Sequence, residues 1–403
     1  MDKHTMCIQL SHKEEAETST ENLLSQDYKF PTDIIYEILS FLDDFKFIVM
    51  NCALVSKEWF HVILSTCNHL NLNCRFGGVG GMSGRFLQNI ATLKVGVITR
   101  DTYRKLILMK SLTKLIIRCD DEEGVKYISE LKQLTKLTIY GSHIGDEGVR
   151  YISELKQLTY LSIPSNGISE YGAKHLRELK QLTTLIIFCN RVGNEGSKYI
   201  SELKQLTTLS IDENDIGAEG AKYLSELTQL TCLDISSNWL GDEGAKYVSK
   251  MKQLTTLHIN SNRIGNEGSK FISSLNQLKN LDICKNDIGD EGLEYFGQLA
   301  QLKSLDLSYN RIGDEGAQYL SELKQLIYLD IKTNHLGDKG AMPIGELKKL
   351  IYLYINNNKI RNEGAKYISE LKQLTKLDIR NNFITEEGTK YFTEMKQLID
   401  LTI

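Results

Sequence analysis

Between Leu131 and Glu394 the chain repeats one 24-residue phrase eleven times without a gap. A sequence that returns to itself at this interval does not close around one globular core. Each unit must bury its apolar side chains against the next, so the chain grows as a stack. The unit at 203–226 reads "LKQLTTLSIDENDIGAEGAKYLSE". A 22-residue version, "MKSLTKLIIRCDDEEGVKYISE", precedes the series at 109–130, and a weaker one, "LQNIATLKVGVITRDTYRKLIL", occupies 87–108. A broken unit, "MKQLIDLTI", ends the sequence.

Position by position, the phrase dictates its local structure. The seventh and ninth residues, Leu209 and Ile211 for example, alternate with polar ones. That period of two predicts a short strand with one buried face. The twelfth residue is Asn in ten of the eleven units (Asn166, Asn190, Asn214, Asn238, Asn262, Asn286, Asn310, Asn334, Asn358 and Asn382) and Ser142 in the first. A buried Asn ladder would satisfy backbone groups freed where the chain leaves the sheet, imperfectly at Ser142. Asp or Asn at the sixteenth position suits a helix N-cap. Gly fills the eighteenth position in all eleven units. Gly costs about 1 kcal/mol inside a helix, so its recurrence predicts close packing of the first turn against the neighbouring strand. Tyr or Phe holds the twenty-first position in nine units, which predicts packing between adjacent helices rather than a ligand surface. Pro343 takes that position once, and its helix should start late or distort.

These residues resemble the leucine-rich repeat family. "NxIGDEGAKYLSELKQLTTL" is similar to the ribonuclease-inhibitor type and to the GALA type of bacterial effectors. The resemblance covers 87–403 and implies an α/β horseshoe solenoid with a parallel concave sheet and outer helices. It implies little about function, because the scaffold hosts many.

Composition narrows the classes. A net charge of −4 over 403 residues argues against a general nucleic-acid binder. No apolar run reaches the length of a membrane helix, and the start lacks an apolar signal core. Eight cysteines lie scattered without Cys-x-x-Cys pairs or zinc spacing, which reads as reduced thiols in a cytosolic or nuclear protein. The histidines share no metal or triad spacing, and the Gly-rich "RFGGVGGMSGRF" (75–86) fits no phosphate-binding pattern. We find no catalytic constellation, expect neither enzyme activity nor cofactor or metal, and read 73–86 as a flexible linker.

The framework barely varies, so information lies in the positions that do. Residues six, eight and ten of each unit, with eleven and thirteen at the rim, should face solvent on the concave side. Two features occur there. The eighth position carries an acidic column of Asp234, Asp282, Asp306, Asp330 and Asp378, interrupted by His258 and Tyr354. Strands about 4.8 Å apart place such charges in mutual repulsion of ~1 kcal/mol per pair in water. Two readings stay open: a solvated face that prevents aggregation, or a docking stripe for a basic segment of a protein substrate. The second feature is exposed aromatic and apolar groups, Tyr140, Tyr160, Ile186 and Phe188 toward one end and Tyr309, Tyr328, Tyr352 and Tyr354 toward the other, with Trp239 at the rim. Such groups are hot-spot material, although part of the first cluster could instead cover the sheet against the linker.

One segment shares nothing with the repeat. In 28–72, Ile34, Ile35, Ile38, Leu39 and Leu42 recur at helical spacing behind Pro31. A second helix carries Phe47, Ile48, Cys52 and Ala53, and Ser56 caps a third with Trp59, Phe60 and Ile63 inward. Such a three-helix unit is marginal alone. The order Phe30-Pro31, Ile34-Ile35, Ile38-Leu39, Leu42, then Ala53-Leu54-Val55-Ser56 and Trp59 resembles the F-box, with Phe30 in place of Leu and Ser56 in place of Cys. That resemblance implies a small all-α domain docking on a Skp-family adaptor through Pro31, Ile34, Ile35, Ile38, Leu39, Leu42, Val55 and Trp59. It implies a substrate receptor of a cullin–RING ubiquitin ligase, with the repeats holding a protein substrate. The alternative is a free-standing leucine-rich scaffold or inhibitor whose N-terminal helices only cap the stack. Residues 1–27 are polar and charged and read as disordered. At the other end the sequence stops on a strand, an edge that can pair with another chain or simply fray.

Overall fold

The computed structural model describes residues 70–74, 87, 88, 90–97, 100–119, 122–140 and 143–403. The segment 1–27, most of 28–72 and most of 73–86 lie outside them. Among the described residues fifteen strands form one parallel sheet in strict chain order. They are β1 (Leu70–Cys74), β2 (Ile90–Val97), β3 (Lys114–Arg118), β4 (Lys136–Tyr140), β5 (Tyr160–Ser162), β6 (Thr184–Ile186), β7 (Thr208–Ser210) and β8 (Cys232–Asp234). The series continues with β9 (Thr256–His258), β10 (Asn280–Asp282), β11 (Ser304–Asp306), β12 (Tyr328–Asp330), β13 (Tyr352–Tyr354), β14 (Lys376–Asp378) and β15 (Asp400–Thr402). A short helix returns the chain from each repeat to the next, giving the solenoid that the 24-residue period requires. The sheet begins earlier than the repeat pattern: β1 precedes residue 87, straddles the expected boundary at 72/73, and pairs with β2 through Leu72↔Leu93. Its "LNLNC" carries the strand alternation without the rest of the phrase.

The core follows the phrase. In the unit 203–226, Leu203, Leu206, Leu209, Ile211, Ile216, Ala221 and Leu224 are all buried. Each large member contributes about 1.5–3 kcal/mol of transfer free energy. The asparagines form the expected ladder. Asn262 Oδ1 accepts from the backbone N–H of Asn238 (2.9 Å) and Leu240 (3.3 Å) in the preceding unit. Its Nδ2 donates to the carbonyls of Ile235, Ile259 and Asn260. One side chain thus closes five backbone groups. At the N-terminal end, Asn166 Oδ1 is buried without a partner among the described residues. It is the rung that would reach the unit of Ser142, itself outside the described residues.

Three local expectations are corrected. The sixteenth residue does not cap its own helix; it caps the next one. Asp242 Oδ1 accepts from the N–H of Gly265 (2.7 Å) and Gly268 (2.9 Å), which open the following helix, Asn266–Ile272. Asp314 does the same for Gly337 (2.6 Å) and Gly340 (2.9 Å). The carboxylate therefore meets the positive end of a neighbouring helix while tying two repeats together. In eight of the eleven units, Gly at position eighteen leaves room for that Asp or Asn side chain rather than for a strand. A Cβ on Gly268 would lie 2.4 Å from Asp242 Oδ1 and 2.5 Å from Ile264 Cγ2. Pro343 delays nothing: its helix, Asp338–Gly345, starts on the usual sixteenth position. The proline is the sixth residue of a short helix, so it removes a single bond, to the carbonyl of exposed Lys339.

The ring at position twenty-one is half-buried between stacked helices, and in three units a cation from the repeat before lies over it. Lys198 lies over Tyr223 (5.8 Å) and Lys270 over Tyr295 (4.9 Å).

Candidate functional site: the open face of the sheet

Strand alternation sends positions seven and nine into the core and leaves six, eight and ten on the opposite face. Position eleven sits at the rim in the left-handed region in ten units, including Tyr309 at φ 55°. Trp239, at position thirteen, has φ 60° and is 58% exposed, with the Arg263 guanidinium 4.0 Å above its ring. Bulky side chains in this conformation carry strain of about 1–2 kcal/mol, and the rim holds both in it.

The parallel register makes the eighth position a continuous column: Ser210↔Asp234↔His258↔Asp282↔Asp306↔Asp330↔Tyr354↔Asp378. The column is not uniform. Asp330 and Asp378, read from sequence as solvent-facing, are buried, at 3% and 8% exposure. The cause is the tenth position. Lys332 pairs with Asp330, and Arg380 grips Asp378 with two bonds (3.0 and 2.7 Å). Burial pushes Asp378 up, but the Arg380 guanidinium overrides it and holds the carboxyl below its usual value.

The other acids lack such partners. Asp212, Asp234 and Asp306 form no ion pair among the described residues. Burial pushes Asp306 up to about 6, with Asp330 and Asp282 adding repulsion. Asp212 rises to about 6 through burial and the neighbouring Asp234. Asp282 is tied to Asn260 Nδ2 (2.9 Å) and faces His258 Nδ1 at 3.6 Å. Its hydrogen bonds outweigh burial and keep its pKa low, and the same contact raises that of His258. Cys284 sits between Asp282 and Asp306, and burial with those two charges pushes its thiol up. Asp282, Cys284 and Asp306 offer donor atoms within 4.8 Å of one another, the sole such grouping among the described residues. Three donors of this kind are one short of a closed tetrahedral set.

Beside the acids lie the aromatic groups. Tyr328 packs on Tyr354 (centroids 5.6 Å) and Tyr352 (6.5 Å). Lys285 (5.6 Å) and Lys332 (5.9 Å) lean over Tyr309, and Lys376 over Tyr354 (5.7 Å). The other cluster does not join them. Tyr140, 48% exposed, and the half-buried Tyr160, Ile186 and Phe188 belong to β4–β6 and the loop after β6. Nine strand steps separate β4 from β13, about 43 Å at ordinary strand spacing. Sequence reasoning missed Asp212, Lys332, Arg380 and Asn356, all at position ten. The signal was present as "LDIK" and "LDIR", a carboxylate and a cation two residues apart on one strand face. The eight candidate adaptor-binding residues, Pro31 to Trp59, lie outside the described residues.

No helix among the described residues is long and apolar enough to cross a membrane. A family model, the leucine-rich repeat region, matches residues 142–361. Solved structures are similar in fold. An internalin of Listeria monocytogenes superposes with a TM-score of 0.64 at 22% identity, over 80% of this chain and 89% of that one. A leucine-rich repeat protein of Leptospira interrogans gives 0.59 at 21% identity, over 85% and 97%. At such identities the likeness is one of fold alone. No curated protein matches the sequence. The matched repeats, the strand order and the Asn ladder agree, and the chain belongs to the leucine-rich repeat family.

Proposed function

We propose that this protein is the substrate-recognition subunit of a Skp–cullin–F-box type ubiquitin ligase. The repeats alone support a coarser statement, a protein-binding solenoid with a sheet face that no element among the described residues covers. The observation that carries the finer reading is the order Phe30-Pro31, Ile34-Ile35, Ile38-Leu39, Leu42 and Val55…Trp59 ahead of that solenoid. The N-terminal segment docks on the adaptor through those apolar residues, and the sheet face holds a protein whose lysines then meet the charged ubiquitin carrier. Catalysis by the assembly is proximity; this chain supplies positions, not chemistry. The test is binding of the full chain to a purified Skp adaptor, with Ile34→Asp and Leu39→Asp as variants. Binding that both variants abolish is expected. A full chain that ignores the adaptor overturns the reading.

A second reading, a free-standing scaffold or inhibitor, draws on β1. The sheet continues back to Leu70, which follows the candidate adaptor-binding residues directly in sequence. A segment that served only to shield this edge would leave adaptor binding absent and the solenoid unstable without it.

A further inference from the structure

We propose that the open face between β7 and β13 is built to receive a Lys- or Arg-rich segment of the captured protein. This rests on the proposed function only in taking the occupant to be the delivered protein. Three independent features of the face share one property: acceptors outnumber donors. First, the column splits into compensated and uncompensated acids. Asp330 and Asp378 carry their own cations. Asp212, Asp234 and Asp306 carry none among the described residues, and Asp282 has only His258 at 3.6 Å. A face that needed neutral carboxylates would pair them all in the manner of "DIK" and "DIR". Three acids are left unpaired, and a fourth, Asp282, has only a titratable imidazole, across four strand steps, about 19 Å. Cationic side chains at alternate positions of an extended segment recur about every 6.8 Å, so four of them cover the same length.

Second, the tyrosines that continue the strip already hold ammonium groups. Lys285 and Lys332 lie over Tyr309, and Lys376 over Tyr354. The rings therefore present faces at which a cation is stabilised, and a partner's Lys or Arg can take the same places. Third, Asn356 is buried at 7% exposure, two residues beyond Tyr354 on the same face, and its Oδ1 has no donor. Of the two buried side-chain acceptors in that condition among the described residues, Asn166 terminates the internal ladder. Asn356 has no such role, and it lies between Lys332 and Arg380, whose cations are committed to carboxylates. An N–H-rich partner supplies what all three features lack: positive charge and donors.

The occupant is committed as a basic protein segment. Mixed or acidic segments are excluded by the same charges, because a carboxylate placed among Asp234, Asp282 and Asp306 meets repulsion without relief.

The test uses the full chain and a defined probe, a fluorescent eight-residue peptide of alternating Lys and Ala with blocked ends. Its Glu–Ala counterpart is the control. Anisotropy titrations at 50 and 200 mM salt are expected to show binding of the Lys peptide alone, weakened by salt. Asp234→Asn with Asp282→Asn and Asp306→Asn should weaken it at least tenfold. Should the triple variant fold poorly, Asp234→Asn with Asp306→Asn, which spares the His258 contact, should still weaken it about threefold or more. Glu154→Gln with Glu226→Gln, on the outer helical side, should change nothing. The proposal is overturned if the outer pair matters as much as the inner set, if the inner set is without effect, or if neither peptide binds. A chain that binds the adaptor but not the Lys peptide refutes this inference alone. One that binds the Lys peptide but not the adaptor refutes the ligase reading alone.

Discussion

Asp306→Asn should make the protein more stable at neutral pH. Asp306 is half-buried between Asp282 and Asp330 and has no cation partner among the described residues; its burial, with those charges, raises its pKa to about 6. In the unfolded chain the carboxyl titrates near 3.9. Its folded pKa lies above its unfolded one, so the protonated form is favoured by folding. The contribution is fully present below pH ~3.9 and is lost as pH rises through about 6. Two units correspond to ~3 kcal/mol at most. Water reaching one side of the carboxylate reduces this to about 1–2 kcal/mol. Asn keeps the acceptor for the Ser308 N–H, which lies 2.8 Å from Asp306 Oδ1, and drops the charge. Urea unfolding followed by circular dichroism, at pH 7.5, 6 and 4, reads the difference from the midpoints. The variant should unfold at higher urea at pH 7.5, and the gap should close by pH 4. A variant less stable than the parent at pH 7.5, or a gap that ignores pH, would refute the reasoning. The predicted gain matters beyond stability: a charge carried at a cost to the fold is a reason to look for a partner that neutralises it.

Three further outcomes follow from the same geometry. Asn262→Ala strands the backbone N–H groups of Asn238 and Leu240, while the carbonyls of Ile235, Ile259 and Asn260 keep Asn238 Nδ2, Asn286 Nδ2 and the Ser237 N–H; at about 1–3 kcal/mol for each buried orphan it should cost on the order of 2–4 kcal/mol, measured by urea unfolding. Gly268→Ala should destabilise by about 2 kcal/mol despite alanine's helix propensity, because its Cβ meets Asp242 Oδ1 at 2.4 Å; a thermal melt at or above the parent's would contradict it. Binding of the Lys peptide should weaken about tenfold between pH 7.5 and 5.5. Over that range Asp212 and Asp306, each raised to about 6, take up protons, beside a His258 whose cationic form Asp282 favours. The other groups facing them are Asp234, Cys284, Tyr328 and the Asp330–Lys332 pair; an affinity independent of pH would remove Asp212 and Asp306 from the site.

How much of this could be read from sequence differs between core and face. The period, the Leu and Ile alternation and the Asn at position twelve specify strand, turn and ladder, because each is a contact that recurs at a fixed offset. Contacts between repeats were harder. Asp242 looked like a cap for its own helix because the residues that follow it are helical, yet its partners are Gly265 and Gly268, more than twenty residues on. Gly268 was read against the wrong neighbour for the same reason. On the face, charge alone made Asp234, Asp306, Asp330 and Asp378 equivalent. The structure separates them through position ten, where Lys332 and Arg380 neutralise the last two. That pairing was visible in "LDIK" and "LDIR" once strand alternation was assumed, since residues two apart share a face. The start of the sheet at Leu70 was not legible, because a five-residue strand without its helix has no period to announce it.

The account turns on whether the repeats hold their partner for delivery. The most direct measurement is co-sedimentation of the full chain with a purified Skp adaptor, beside a chain lacking 28–66, which leaves β1 intact. The account predicts a stoichiometric complex for the full chain and none for the shortened one, with the shortened chain still binding the Lys peptide. A full chain that sediments free of the adaptor would contradict it.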